Sequence, residues 1–195
     1  MDSPGSFLAD PPLGAEVAAE YEADVTADGY VNNLTRVWCW RPDVLAAFQA
    51  LRQDLLGGAA LSGRETAVMV VATAAARGDA YCALAWGSRL AELSDDATAA
   101  GVLRGLDGGL SEREAALAGW SRQVVQDPNA TTDADVDRLR DAGLSDLEIF
   151  EATAFIAMRL AFSTVNDALG ARPDRQLAEK VPRLVREAVD FGRPV

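Results

Sequence analysis

Residues 78–87, with the sequence GDAYCALAWG, predict the start of a helix that carries a single cysteine. Gly78 is a residue type that ends a preceding helix, and Asp79 is one that caps a helix N-terminus by accepting a backbone N–H. Cys82 then lies in the first turn, where unpaired N–H groups and the helix dipole favour a thiolate. Since the chain contains no histidine, this candidate nucleophile lacks its usual base.

The neighbours of Cys82 along the helix leave its role open. Asp79, Cys82 and Trp86 are spaced by three and four residues, so they share one helix face. The negative charge of Asp79 opposes ionisation of the thiol. Asp79 can therefore act as an acid–base group or only as a helix cap, and Trp86 can line a pocket or pack in the core. Cys82 itself can be a redox nucleophile or a small buried side chain.

The composition favours one helical domain. The chain has 195 residues, 49% of them hydrophobic and 7% aromatic, which suits close-packed helices better than a sandwich or barrel. The formal net charge of −12 repels phosphate backbones and anionic lipid surfaces, so we expect no nucleic-acid or membrane partner. No stretch predicts a membrane span or a signal peptide, and we expect a cytoplasmic protein.

Cysteine and histidine counts limit the chemistry further. Two cysteines, Cys39 and Cys82, are too few for a disulfide framework, and whether they lie close together is open. The absence of histidine excludes zinc sites that use imidazole. We expect no cofactor and no metal.

Serine-based capping boxes organise the chain. Residues 61–65 (LSGRE), 110–114 (LSERE) and 144–148 (LSDLE) each place a serine three residues before a glutamate, which predicts three helix starts. Residues 1–14, with three prolines and two glycines, predict a flexible lead-in, and residues 15–195 a single all-helical domain. No segment predicts a strand.

Helical periodicity and stop signals then set the predicted helices. They cover residues 16–23, 33–40, 43–56, 64–77, 79–93, 96–106, 112–126, 132–141, 146–169 and 177–188, the last interrupted at Pro182. The helix over 146–169 is apolar on most faces, including Phe150, and is predicted to be central and buried. The helices over 64–77 and 79–93 are predicted to frame the site around Cys82.

With these landmarks the sequence resembles the alkylhydroperoxidase D-like and carboxymuconolactone decarboxylase superfamily, in its peroxidase-related branch. The resemblance covers most of the chain and implies an all-α, multi-helix orthogonal bundle. It also implies a homo-oligomer, either a dimer, a trimer or a hexamer. The supporting segments are Asn33-Leu34, Arg41-Pro42, Leu61-Ser62 to Glu65, Tyr81-Cys82, Leu110 to Arg113, Ala142 to Ser145, Asp167 to Gly170, and Phe191 to Pro194.

The family's redox motif is only partly present. Members that reduce hydroperoxides resemble one another in a Cys-x-x-Cys followed four residues later by histidine, with a glutamate twelve residues before the first cysteine. In this sequence the two cysteine positions hold Asp79 and Cys82, the histidine position Trp86 and the glutamate position Ala67. A second histidine position of the branch holds Ala85. The thiol that attacks peroxide is retained, while its resolving partner and proton relay are replaced.

The resemblance leaves three functions in view. One is a one-cysteine hydroperoxide reductase with weakened or lost activity, recycled by an external thiol. The others are a cofactor-independent lyase or isomerase with Asp79 as proton carrier, and a non-catalytic ligand-binding or assembly protein. The candidate catalytic residues are Cys82, Asp79 and Tyr81. The residues expected to line the pocket are Ala67, Ala85, Trp86, Arg89 and Ser163, with Arg77 or Arg89 available to steady a thiolate.

Overall fold

A computed structural model describes residues 5–58 and 61–193, and over these residues the chain is helical without a strand. The all-α fold class is thereby confirmed. Residues 1–4 of the predicted lead-in, and Pro194 and Val195 of the predicted domain, lie outside the described residues. The helices are α1 (Ala15–Asp28), α2 (Asn33–Trp38), α3 (Pro42–Gly58), α4 (Gly63–Arg77), α5 (Ala80–Leu93), α6 (Asp96–Leu103), α7 (Glu112–Gln126), α8 (Asp133–Asp141), α9 (Asp146–Ala168), α10 (Arg175–Lys180) and α11 (Arg183–Ala188).

All three predicted capping boxes are confirmed. Ser62, Ser111 and Ser145 each accept the backbone N–H of the glutamate three residues on, and each glutamate accepts the serine N–H in return. Sequence analysis missed a fourth start of the same kind, where the Asp135 carboxylate accepts the N–H of Thr132 at 2.6 Å. The acid at this helix start is an aspartate and not a glutamate, so a search for serine followed three residues later by glutamate does not detect it.

The capping glutamates also tie helices together. Arg113 of α7 contacts Glu65 at 2.6 Å and Glu148 at 2.5 Å, and so joins the starts of α4 and α9. Arg64 pairs with Glu114 at 2.8 Å. These partly buried carboxylates therefore serve two structural purposes at once, which leaves Glu65 no free oxygen for chemistry.

Helix α4 is the centre of the molecule. Every residue from Glu65 to Ala74 is buried, and the helix packs against α5, α6, α7 and α9. Small side chains at the contact with α5, such as Ala67, Ala72 and Ala83, let the two backbones approach closely. The predicted pair of helices around Cys82 is thereby observed.

The long helix α9 differs from its prediction at its first turns. Phe155 and Ile156 are fully buried, but Leu147 and Phe150 are 62% and 68% exposed. The predicted burial of Phe150 is wrong because, in the first turns of α9, Ile149 faces the core while Leu147 and Phe150 lie on the exposed side.

Both ends of the described chain pack beside the corner between α4 and α5. The Phe7 N–H donates to the carbonyl of Leu169 at 2.9 Å, and the Arg193 guanidinium lies 5.1 Å from the Phe7 ring centroid. Gly192, at φ +69°, fits so tightly that an added Cβ would lie 2.4 Å from the Gly78 carbonyl oxygen. Flexibility of residues 1–14 as a whole stays a prediction. Over the described ranges, no helix has the length and apolarity needed to cross a membrane.

Candidate functional site

The corner between α4 and α5 fixes the position of Cys82. Gly78 ends α4 at φ +77°, a left-handed conformation that glycine adopts without strain. Asp79 follows as the N-cap of α5, and its Oδ1 accepts the Cys82 N–H at 2.9 Å. The predicted break at Gly78 and the predicted cap are both observed. This short connection points the first turn of α5, with the thiol, into the core.

The sulfur of Cys82 meets side chains from α9. The Arg159 guanidinium donates from Nη2 to Sγ at 3.0 Å, and the Ser163 hydroxyl lies 4.0 Å from the same sulfur. Both residues are buried, at 6% and 1% exposure. Cys82 is 3% exposed. The thiol is therefore enclosed, with a cation on one side.

Burial and charge act in opposite directions on this thiol. The pKa of Cys82 is raised to about 12, first because burial disfavours the thiolate and further because of the nearby Asp79. Arg159 and Ser163 lower the pKa, but by less than burial raises it. In this closed arrangement the thiol is protonated at neutral pH.

Arg159 has no carboxylate partner within the described ranges, although it is buried. Its Nε atom is buried without a hydrogen-bond partner. Its guanidinium lies 5.0 Å from the ring centroid of Phe162 and 5.8 Å from that of Trp86. A guanidinium held this way by two rings and a thiol retains an unmet capacity for an anion.

A cavity of about 210 Å³ lies on the other side of Arg159. Aromatic and aliphatic side chains form much of its wall, and Arg52 of α3 joins Arg159 in it. Trp38 packs against two of the lining residues. Its ring stacks on that of Phe162 with the centroids 4.8 Å apart, and meets that of Phe48 edge-on with the centroids 4.9 Å apart. The remaining lining residues come from α1, α2, α3 and α9, and include Glu20, Asp24, Leu34, Leu45, Gln49 and Met158. Arg159 is the residue that this cavity shares with the surroundings of Cys82.

Asp79 lies in the protein interior. It is fully buried, and its Oδ2 has no hydrogen-bond partner. The nearby Asp167 has its pKa raised to about 6, first by burial and then by the charge of Asp79, while Arg77 and Arg193 lower it. Two carboxyl groups therefore share the buried corner. Asp79 does not line the cavity beside Arg159.

Tyr81, proposed from the sequence as a hydrogen-bond donor at the site, is directed elsewhere. Its hydroxyl donates to Oδ2 of Asp174, which also accepts the Asn33 N–H at Oδ1. Burial and Asp174 raise the pKa of Tyr81. This contact joins α5 to the start of α2 and does not involve the sulfur.

The other residues predicted to line the pocket form two groups: two lie near the Cys82–Arg159 contact and three do not. Ser163 and Trp86 lie around the Cys82–Arg159 contact, with Trp86 half-buried and contacted by Arg52 at 5.7 Å and Arg159 at 5.8 Å. Ala67 is fully buried in the core, and Ala85 is half-buried. Arg89 is exposed and pairs with Glu92 at 2.9 Å. Cys39 is buried, free, and has its pKa raised to about 11 by burial.

Sequence analysis missed Arg159, the residue that contacts the sulfur. A signal for it was present, because Arg159, Ser163 and Asn166 are spaced by four and three residues and form a polar stripe on an otherwise apolar helix. Arg159 and Ser163 face Cys82, and Asn166 accepts the Trp38 indole N–H at 2.7 Å. Over the described ranges no group of three or more acidic or cysteine residues is placed to hold a metal.

Comparison with solved structures identifies the class. The chain matches an uncharacterized peroxidase-related protein from Ralstonia eutropha JMP134, described as an alkylhydroperoxidase AhpD core, at 26% identity and a TM-score of 0.76, over 90% of this chain and 95% of that one. It matches an uncharacterized peroxidase-related protein from Silicibacter sp. TM1040 at 21% identity and a TM-score of 0.79, with the same coverage. The protein therefore has the alkylhydroperoxidase D-like fold.

More distant matches agree on the fold. The debrominase Bmp8 in its apo form matches at 14% identity with a TM-score of 0.73, over 94% of this chain and 98% of that one. The resemblance inferred from the sequence, to the alkylhydroperoxidase D-like and carboxymuconolactone decarboxylase superfamily, is thereby confirmed. Scans against family models and curated proteins find no match.

Proposed function

We propose that this protein is a one-cysteine, thiol-dependent hydroperoxide reductase in which Cys82 is the nucleophile and Arg159 holds its thiolate. The observation that carries the proposal is the 3.0 Å contact from a buried, carboxylate-free guanidinium to the sulfur. A cation in that position stabilises the charged form of the thiol more than the neutral one. The peroxidase-related structural neighbours support the same class of reaction.

The proposed reaction has two stages. The Cys82 thiolate attacks one oxygen of the hydroperoxide O–O bond, so that an S–O bond forms and the O–O bond breaks. The Cys82 thiol first loses its proton to solvent; attack then oxidises the cysteine to sulfenic acid, and the leaving alkoxide takes a proton back from solvent and departs as an alcohol. An external thiol then displaces water from the sulfenic acid, and a second external thiol releases Cys82 and forms a disulfide.

The residues of this chain supply only part of what the two stages need. Arg159 has no acceptor atom, so it can stabilise the thiolate but cannot carry the proton. Cys82 is enclosed and does not line the cavity, so side chains around the sulfur have to move before a hydroperoxide reaches it, while Arg159 contacts the sulfur and lines the cavity at once. Cys39 is free and buried and forms no disulfide with Cys82, so resolution falls to a thiol from solution.

The test is sulfenic acid formation at Cys82. A Cys39→Ala protein is treated with tert-butyl hydroperoxide and dimedone, and the adduct is located by mass spectrometry. Peroxide consumption with dithiothreitol is measured in parallel, with Cys39→Ala/Cys82→Ala as control. We expect adduct at Cys82 and turnover that the second substitution abolishes. Turnover equal to that of the double variant, with no adduct, would overturn the proposal.

A second candidate function is a non-catalytic ligand-binding protein. It is favoured by the enclosure of Cys82 and by the rise of its pKa to about 12, which together make the thiol unreactive in the closed arrangement. The same experiment separates the two, because this candidate predicts an inert thiol. The lyase or isomerase alternative has less support, because the carboxylate of Asp79 is fully buried and does not line the cavity beside Arg159. A homo-oligomeric assembly and a cytoplasmic location stay proposals.

A further inference from the structure

The cavity beside Arg159 contains an unusual pair of like charges. Arg52 and Arg159 both contact the Trp86 ring, at 5.7 Å and 5.8 Å from its centroid. Neither forms an ion pair over the described ranges. Arg52 is exposed as a whole residue, yet partial burial together with the charge of Arg159 lowers its pKa. An anion between the two would relieve this repulsion.

The buried guanidinium points to a ligand independently of the thiol. Arg159 is 6% exposed, lines the cavity, and its Nε has no hydrogen-bond partner. A buried donor without a partner costs free energy until a ligand satisfies it. A carboxylate is the group that matches a guanidinium in shape and charge, because its two oxygens accept two parallel N–H bonds.

The acidic residues of the cavity do not meet this need. Glu20 and Asp24 line it from α1, and Asp24 already accepts the Asn32 N–H at 2.9 Å. Neither carboxylate pairs with Arg52 or Arg159. They make the α1 side repulsive to an anion, so a ligand's acid group is directed to the two arginines.

The rest of the cavity suits an apolar body of limited size. Phe48, Phe162 and Leu45 contribute ring and aliphatic surface. The volume of about 210 Å³ exceeds the roughly 150 Å³ that is enough to hold a benzene molecule. One ring with a short acid group therefore fits.

We infer that this cavity is a binding site for a small aromatic or similarly apolar carboxylate, held by Arg159 and Arg52 with its apolar part against Phe48 and Phe162. The inference goes beyond the proposed function and does not depend on it, because binding requires no reaction at Cys82. It applies equally to a peroxidase and to a ligand-binding protein.

Binding is tested with benzoate as the probe in a Cys82→Ala protein, which cannot react. Calorimetry and tryptophan fluorescence are used, since Trp38 and Trp86 contact residues that line the cavity. Benzamide has the same shape without the charge, and benzylamine reverses the charge. We expect saturable benzoate binding, with benzamide and benzylamine about tenfold weaker or more, as loss of a charged hydrogen bond predicts.

Three variants connect the binding to the residues. Arg159→Met and Arg52→Met should each weaken benzoate about tenfold or more, while Arg89→Met, whose arginine pairs with Glu92 on the surface, should leave it unchanged. Arg52→Met keeps the test valid if Arg159→Met fails to fold, because Arg52 is exposed. No saturable benzoate binding, benzamide or benzylamine binding as tightly as benzoate, or benzoate binding that neither pocket substitution weakens, would overturn the inference.

Discussion

The guanidinium of Arg159 donates to the sulfur of Cys82 across 77 residues of sequence, at 3.0 Å. Arg159 is one of the few charged groups buried in this protein and has a thiol, not a carboxylate, as its polar partner. Burying a guanidinium without a carboxylate is unfavourable for folding. Such an arrangement is expected where function, not stability, determines the residue.

Arg159→Met should therefore leave the protein at least as stable as it was. Methionine fills similar space against Phe162 and Trp86 and needs no polar partner. We expect the free energy of unfolding to change by less than about 1 kcal/mol, or to increase, in urea denaturation.

Arg113→Met is the matched control, because Arg113 is partly buried between two carboxylates, Glu65 and Glu148. Its removal leaves both acids without their cation and should lower the free energy of unfolding by about 2 kcal/mol or more. If Arg159→Met were as destabilising as Arg113→Met, Arg159 would be a structural residue.

Asp79 should lower the reactivity of Cys82. Its charge raises the pKa of the thiol, and its Oδ1 caps α5. Asp79→Asn keeps an oxygen for the cap and removes the charge, so the alkylation rate of Cys82 at a fixed pH near 8 should increase. Asp79→Ala removes both, and should add a loss of about 1 kcal/mol of stability.

The control for capping is Asp95→Ala. Asp95 caps α6 by accepting the Thr98 N–H at 2.9 Å, beyond the opposite end of α5 from the thiol. It should lose comparable stability without changing alkylation of Cys82 in a Cys39→Ala background. An Asp79→Asn protein alkylated more slowly than its parent would contradict the assignment.

The sequence was sufficient for the order of the helices and for the position of Cys82 and its cap, although α1 extends to Asp28, beyond its predicted end at residue 23. Helix starts depend on neighbours three residues apart, and so Ser62, Ser111, Ser145 and Asp79 could be assigned from local pattern alone. Arg159 could not, because the contact with Cys82 depends on how α9 is rotated against α5. A polar stripe at 159, 163 and 166 identifies a face of α9 but not the residue that it meets.

Tyr81 is the opposite case, a residue that the sequence assigned to the site and the fold places elsewhere. It is adjacent to Cys82 in sequence, which suggested a role at the thiol. Consecutive helix residues point about 100° apart, however, and Tyr81 instead contacts Asp174, 93 residues away. Proximity in sequence was therefore a poor guide to proximity in the fold at this position.

Tyr81→Phe should accordingly affect stability and not reactivity. The substitution removes a donor from the buried Asp174 carboxylate, which should lower the free energy of unfolding by about 1–3 kcal/mol. The alkylation rate of Cys82 should stay that of the parent protein. Tyr30→Phe is a suitable control, since the Tyr30 hydroxyl makes no side-chain hydrogen bond over the described ranges and its loss should change stability by less than about 0.5 kcal/mol. Slower alkylation of Cys82 in Tyr81→Phe than in the parent protein would show that Tyr81 acts on the thiol.

Asp167 should make the protein less stable as the pH rises. Its pKa is raised to about 6 in the folded chain, against roughly 3.9 when unfolded, so between these values the folded state binds the extra proton. The stability that this proton provides is present below about pH 4 and is lost as the pH passes through 6. Asp167→Asn should therefore match the parent protein near pH 4 and exceed it at pH 7.5, by at most about 3 kcal/mol, in urea denaturation at both pH values.

Glu148→Gln should change the dependence of stability on pH in the opposite direction. Hydrogen bonds from Ser145 and from Arg113 lower the pKa of Glu148 to about 2, so its contribution is present at neutral pH and is lost on acidification. That variant should be less stable than its parent at pH 7.5, with the difference shrinking towards pH 2. The two variants should thus diverge in opposite directions from the same parent as the pH is raised. If Asp167→Asn gave the same difference at pH 4 and pH 7.5, the pKa of Asp167 would not be raised in the folded chain.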